Sequence, residues 1–218
     1  MATAQQTLTL LQIFDSQFPV GAFAHSNGLE TYGQLRQFDR FALQDLLRGQ
    51  LEQGWGNLDV AAICLAFRAA GDIPELTELN DIVAASKVVP GLYKTSLNLG
   101  RRTIKLARRL YDLPELMLEQ PHQAVALGWL GNERNLDEND LLLAFAHSTV
   151  LGSLMAATRA MALSPEQAQE VLLGLQTDIA TAVERVHADP EQYLWSCTPA
   201  LDLRAHQQAF LHTRLFQS

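Results

Sequence analysis

The stretch Leu43-Gln-Asp-Leu-Leu-Arg-Gly-Gln-Leu51, continued by Leu58-Asp-Val-Ala-Ala-Ile-Cys-Leu65, decides the fold class. Leu43, Leu46, Leu47 and Leu51, then Leu58, Ala61, Ala62 and Leu65, recur at steps of three and four, the period of one helix face. The interruption Gly54-Trp55-Gly56 lies between the two halves and is placed to bend or break a long helix. The same period continues over Glu75–Val89, Leu92–Tyr111, His122–Trp129, Glu138–Leu163 and Pro165–His187, with a final amphipathic segment over Leu203–Phe216. Ser164-Pro165-Glu166-Gln167 has Ser at N-cap, Pro at N1 and Gln at N3, a complete helix-start signature. Leu and Ala make up close to a third of the chain while Val and Ile are scarce, which favours helix over strand because unbranched side chains lose little rotamer freedom. No segment alternates apolar and polar residues in the manner of a strand. Turns are marked at Gly71-Asp72-Ile73-Pro74, Pro90-Gly91, Leu113-Pro114, Gln120-Pro121 and Asp189-Pro190, with no linker, repeat or low-complexity tract between them. The expectation is an all-α, single-domain helical bundle of about eight to ten helices over residues 1–218.

Composition narrows the function. The 218 residues carry 16 Lys and Arg against 24 Asp and Glu, a formal net charge of −8. Size scaling gives roughly 10,000 Å² exposed when folded against roughly 35,000 Å² unfolded, so a full core forms without disulfides or metal staples. With 48% hydrophobic residues, burial outweighs the cost of ordering the chain, which excludes disorder. The acidic balance argues against nucleic acid, whose phosphates call for a cationic surface. Cys64 and Cys197 lie far apart and outside any CxxC, so two reduced thiols are expected rather than a disulfide framework or a zinc site. Met1–Gln6 has no basic, apolar leader pattern, and no run of about 18 apolar residues occurs, so a cytoplasmic protein with no membrane partner is expected.

Catalytic patterns are scarce. There is no GxxxxGK[ST] phosphate loop, no HExxH and no HxH, and the six histidines are scattered. Neither catalytic residues, nor metal ligands, nor a cofactor are expected. Ala24-His25-Ser26-Asn27-Gly28 echoes a GxSxG elbow, but Ala24 stands at the first glycine and no strand precedes it. A helical hydrolase using His25 with Ser26 or Asp15 is therefore the competing enzymatic reading.

Three features stand out as recognition elements. The segment Asp15-Ser-Gln-Phe-Pro-Val-Gly-Ala-Phe-Ala-His-Ser-Asn-Gly-Leu-Glu30 places Phe18, Phe23, His25 and Ser26 in one connection, with Asn27 positioned to cap the following helix and Glu30 to complete a capping-box pair. On Leu203–Ser218, a helical projection puts Leu203, His206, Gln207, Phe210 and Arg214 on one face, mixing apolar anchors with donors as interfaces do. That segment is expected to bind a partner, either docked on its own domain or ordered on association. Arg101, Arg102, Lys105, Arg108 and Arg109 form a basic cluster on one helix, read as a solvated face or a surface for an acidic partner.

Two of these segments carry a resemblance. Leu10–Glu30 is similar to the signature of the urease accessory protein UreF family, and Thr213-Arg-Leu-Phe-Gln-Ser218 resembles that family's Ser-Arg-Leu-Phe-x-Ser ending. Thr95-Ser-Leu-Asn-Leu-Gly-Arg-Arg102 and Ser196-Cys-Thr-Pro-Ala-Leu-Asp-Leu203 resemble its central helix and penultimate loop, in the same order. The resemblance implies an all-helical, non-enzymatic chaperone, usually a homodimer, that binds UreD (UreH in some systems), recruits the GTPase UreG and acts on apo-urease subunits so that nickel reaches the active site. It assigns Phe210, Arg214, Leu215 and Phe216 to the UreD/UreH interface, and His206 is added as a partner-binding residue from the helical projection. Phe23, His25, Ser26, Gly28, Leu29 and Glu30 inherit the early loop, near the dimer centre and the GTPase-facing surface. Phe23 stands where many members have Tyr, and His25-Ser26-Asn27 replaces a Tyr-Ser-Gln form.

Overall fold

The computed structural model describes residues 3–22, 25–34 and 38–216, and among these every regular element is helical. Eleven α-helices follow in order: α1 Ala4–Ile13, α2 Leu29–Gln34, α3 Arg40–Gln53, α4 Trp55–Arg68, α5 Ile73–Ser86, α6 Pro90–Tyr111, α7 Gln123–Glu133, α8 Glu138–Ala160, α9 Pro165–Gly174, α10 Gln176–Ala188 and α11 Pro199–Gln208. A 3-10 turn, Pro190–Tyr193, links α10 to α11.

Several helices start where a side chain supplies an acceptor for the free amides of the first turn. Asp39, Asp72 and Asp137 cap α3, α5 and α8 through their carboxylates. Thr3 with Gln6 and Ser164 with Gln167 form reciprocal capping boxes on α1 and α9, the second as the sequence signature anticipates. Pro90 and Pro199 occupy the first helical positions of α6 and α11, so these prolines open helices rather than merely separating them.

The two innermost helices are α4 and α7. Every residue of α4 from Gly56 to Cys64 is buried, as is every residue of α7 from Ala124 to Gly131. Helices buried on every side occupy the centre of the fold, and the polar Asn57 and Asp59 of α4 are hydrogen-bonded there. The two helix axes come close because α7 has Gly128 at the crossing, where a Cβ would sit 2.6 Å from that of Ala66. The remaining helices pack around this pair, and residues from Leu10 to Val186, joined by Phe216, form one contiguous core. Helix α8 is long and apolar enough to cross a membrane by length and composition. Here its Leu141, Leu142, Phe145, Ala146, Val150 and Leu154 are buried in that core.

Two boundaries differ from the periodicity. Pro165–His187 reads as one helix, but the chain breaks at Gly174-Leu175 between α9 and α10. Glycine is a poor interior helix former, and here a Cβ would meet the Gln44 amide nitrogen at 2.8 Å, so α3 presses against the break. The expected terminal helix over Leu203–Phe216 begins earlier, at Pro199, and ends at Gln208, after which residues 209–216 continue as turns.

Candidate functional site

The early loop and the C-terminal segment, separate in the sequence, form one structure. Its centre is Glu30 in the first turn of α2, only 2% exposed. The Glu30 carboxylate accepts from the backbone N–H of Leu215 at 2.6 Å, from that of Phe216 at 3.3 Å, and from Gln208 Nε2 at 3.2 Å. Gln208, 1% exposed, turns its Oε1 the other way and accepts from Ser26 Oγ at 3.1 Å and Gly28 N at 2.9 Å. Both side chains therefore have their acceptors occupied, as burial of polar groups demands. Around this clasp Thr31 Oγ1 donates to the Arg204 carbonyl at 2.9 Å, and Gln34 Nε2 to that of Thr213 at 3.0 Å. Phe216 is buried at the far end, with the Arg159 guanidinium 4.6 Å from its ring centre.

The loop backbone is shaped for this contact. Gly28 has φ +96°, and a Cβ there would lie 2.9 Å from the Ala205 nitrogen, so α11 rests on bare backbone. Asn27 adopts the left-handed conformation with φ 51° instead of capping α2 as expected. The cap falls to Ser26, whose Oγ accepts from Glu30 N at 3.4 Å. Glu30 does not complete a capping box because its carboxylate is committed to the tail.

His25 sits beside the clasp, against α6, with Nδ1 3.3 Å from Thr95 Oγ1. Burial, reinforced by the Arg102 guanidinium, holds its pKa below the ordinary histidine value. Arg102 also donates to the Val20 carbonyl at 3.1 Å, so this member of the basic cluster braces the early loop. Arg108 pairs with Glu115 at 3.2 Å, and Arg101 bonds Asn98 on its own helix at 2.6 Å. The geometry gives no support to the hydrolase reading: the Ser26 hydroxyl donates to an amide oxygen, which is no general base. Asp15 is an exposed turn residue accepting from Gln17 N at 2.6 Å.

Of the candidate residues, Ser26, Gly28 and Glu30 meet Phe216 through the clasp, and Leu29 belongs to the core. Phe23 lies outside the described residues. His206, Phe210, Arg214 and Leu215 face solvent, with Phe210 77% and Leu215 70% exposed. The His206 and Phe210 rings approach to 5.7 Å between centroids. They border a groove of about 460 Å³ shared with Val89, Pro90, Tyr93 and Lys94 at the start of α6. The helix face singled out by its mixture of anchors and donors is thus the outward one. Leu201, Ala205 and Gln208, on the opposite side of α11, make the internal contact. Sequence reasoning missed Gln208, Thr31 and Arg159, since a lone polar residue gives no local sign of a partner far along the chain.

The UreF family model matches residues 38–176. The chain is 32% identical over 223 aligned positions to the urease accessory protein UreF of Actinobacillus pleuropneumoniae serotype 5b (strain L20), covering 96% of this chain and 97% of that protein. It is 32% identical over 222 positions to its namesake in Haemophilus influenzae (strain 86-028NP), covering 96% and 94%. For that of Trichodesmium erythraeum (strain IMS101) the identity is 30% over 227 positions, covering 97% and 96%. With the family model matching residues 38–176 and relatives aligned over nearly the whole chain, this chain belongs to the UreF family of urease accessory proteins.

Proposed function

We propose that this protein is an adaptor in urease maturation, working in the cytoplasm as a homodimer and performing no turnover of its own. It binds a UreD/UreH protein through the outward face of residues 203–218, recruits the GTPase UreG, and acts with them on apo-urease subunits so that nickel, the cargo, is inserted. The whole chain serves as one helical domain, with that terminal segment as its partner-binding part. The observation that carries this reading is the exposure of Phe210 and Leu215 on a segment whose backbone is tied down by buried Glu30 and Gln208. Large apolar side chains held rigidly in water are what an interface uses, because little ordering entropy is left to lose on binding. Nucleotide hydrolysis would come from the partner, which accords with a chain lacking a phosphate loop.

The test is co-purification with UreD/UreH and UreG, followed by nickel-dependent activation of apo-urease with and without this protein. A stable complex and activation that require it are expected. A chain that captures neither protein, or activation at full rate in its absence, overturns the reading.

A further inference from the structure

Far from the clasp, three helix positions bring together three different metal-binding groups. Cys64 on α4, Glu138 at the start of α8 and His187 near the end of α10 each offer one donor atom, and these atoms lie within 4.8 Å of one another. Cys64 Sγ is 2.9 Å from Glu138 Oε1, and His187 Nε2 is 3.4 Å from Glu138 Oε2. Ligands around a tetrahedral zinc, each about 2.0 to 2.3 Å from the ion, are separated by roughly 3.3 to 3.8 Å. The 3.4 Å pair falls in that range, while the 2.9 Å pair is shorter and the widest separation reaches up to 4.8 Å, so side-chain shifts of about an ångström would gather the three donors around a single ion. Cys64 is fully buried, while the Glu138 and His187 side chains keep 21% and 33% of their exposure, so the cluster opens to solvent on one side. Neither cysteine is in a disulfide, and Cys64 remains a free thiol.

We propose that Cys64, Glu138 and His187 form a binding site for one zinc-class divalent cation, completed by water in a fourth position. The donor set of thiolate, imidazole and carboxylate selects a borderline transition ion over magnesium or calcium, which prefer oxygen alone. Without metal, the cluster is balanced in another way. The Cys64 thiol keeps its proton, its pKa pushed up to about 12 by burial and then by the neighbouring Glu138 carboxylate. Arg68, one turn after Cys64 on α4, lays its Nε 2.8 Å from Glu138 Oε1 and its Nη2 3.2 Å from the His187 carbonyl. Binding replaces the thiol proton and the Arg68 guanidinium with the cation: the Cys64 S–H bond breaks, its proton leaves to solvent and the sulfur pair ligates the ion. Arg68, 42% exposed, turns outward. The site departs from the sequence expectation of no metal ligands, and it stands independently of the role proposed in urease maturation.

The experiment uses the full chain carrying Cys197→Ser, which removes the exposed thiol as an adventitious ligand. Competition for Zn²⁺ against a chromophoric chelator should give one ion per chain, and Co²⁺ should give a thiolate-to-cobalt charge-transfer band. Cys64→Ala should abolish that band. His187→Gln, at a partly exposed position that leaves the core intact, should weaken zinc binding at least tenfold, while Arg68→Gln should tighten it several-fold by removing the competing charge. Circular dichroism of each variant establishes that it is folded. Absence of stoichiometric binding, a charge-transfer band that survives Cys64→Ala, or zinc affinity unchanged in His187→Gln overturns the proposal.

Discussion

Glu30 and Gln208, 178 residues apart in the chain, meet at 3.2 Å in an interior from which both are almost wholly shielded from solvent. Between them they accept hydrogen bonds from two tail amides, one loop amide and one loop hydroxyl. The tail is thereby fixed by its backbone, leaving its outward side chains free for another molecule.

Replacing Glu30 by Ala should strip the Leu215 and Phe216 amides of their acceptor. Hydrogen bonds to a charged group contribute about 1.5 to 3 kcal/mol each, so the end of the tail should detach with a loss of at least about 2 kcal/mol. Hydrogen exchange at those two amides is the direct measurement, with an acceleration of tenfold or more expected. Protection equal to that of the unaltered chain would contradict the clasp.

Gly28→Ala tests the same contact from the backbone side. A methyl group at φ +96° is strained, and it would also press on the Ala205 nitrogen at 2.9 Å. A destabilisation of about 1 to 3 kcal/mol in chemical denaturation is expected. Gly71→Ala, where φ is +86° but no atom lies within 4 Å, should cost less and separates strain from collision.

Phe210→Ala and Arg214→Ala should behave in the opposite way. Both residues are exposed, so the melting temperature should stay within about a degree or two of the unaltered protein, while assembly with a UreD/UreH partner should weaken by roughly 2 kcal/mol or more at a hot spot. Titration calorimetry separates the two effects. Unchanged affinity in both variants would remove this face from the interface.

His122 supplies a pH dependence. It is fully buried, with Nδ1 3.0 Å from Ser96 Oγ, and its pKa is lowered to about 4 by burial and by Lys87, against a smaller opposing pull from Asp59. The unfolded chain, with an ordinary imidazole near 6.5, binds the proton more readily than the folded one. Stability from the neutral ring is fully present above about pH 6.5 and is lost as pH falls toward about 4, on the order of 3 kcal/mol in all. Denaturation midpoints should fall across that window, and His122→Gln should flatten the slope. An equal slope in the variant would assign the effect to other groups.

The helices were legible wherever one face of period 3.6 met a clear start signal, as at Ser164 and its Gln167 partner. Gly174 was not read as a break because a glycine inside a periodic run is ambiguous until the neighbour pressing on it, here Gln44, is known. The candidate site divides along the same line. Motif reading found both of its segments, because loop composition and a mixed helix face are local properties. It could not find that Glu30 spans them, since the docked face of α11 holds one glutamine and small or aliphatic residues with no local signature. The Cys64, Glu138 and His187 cluster was invisible for the same reason, its members being drawn from three helices rather than one motif.

The length of chain between the clasp's halves has a consequence during synthesis. A ribosome adding about 5 to 20 residues per second needs on the order of 10 to 40 seconds to pass from Glu30 to its donor 185 positions later. Throughout that interval the carboxylate has to remain hydrated, and the loop around Gly28 has nothing to rest upon. Translation therefore imposes an order: the helical centre can settle first, and the outward face of residues 209–216 acquires its final shape only when Leu215 and Phe216 emerge. A nascent chain stopped short of Leu215 would leave the Glu30 carboxylate without either of its tail amides and the segment after Gln208 without its anchor.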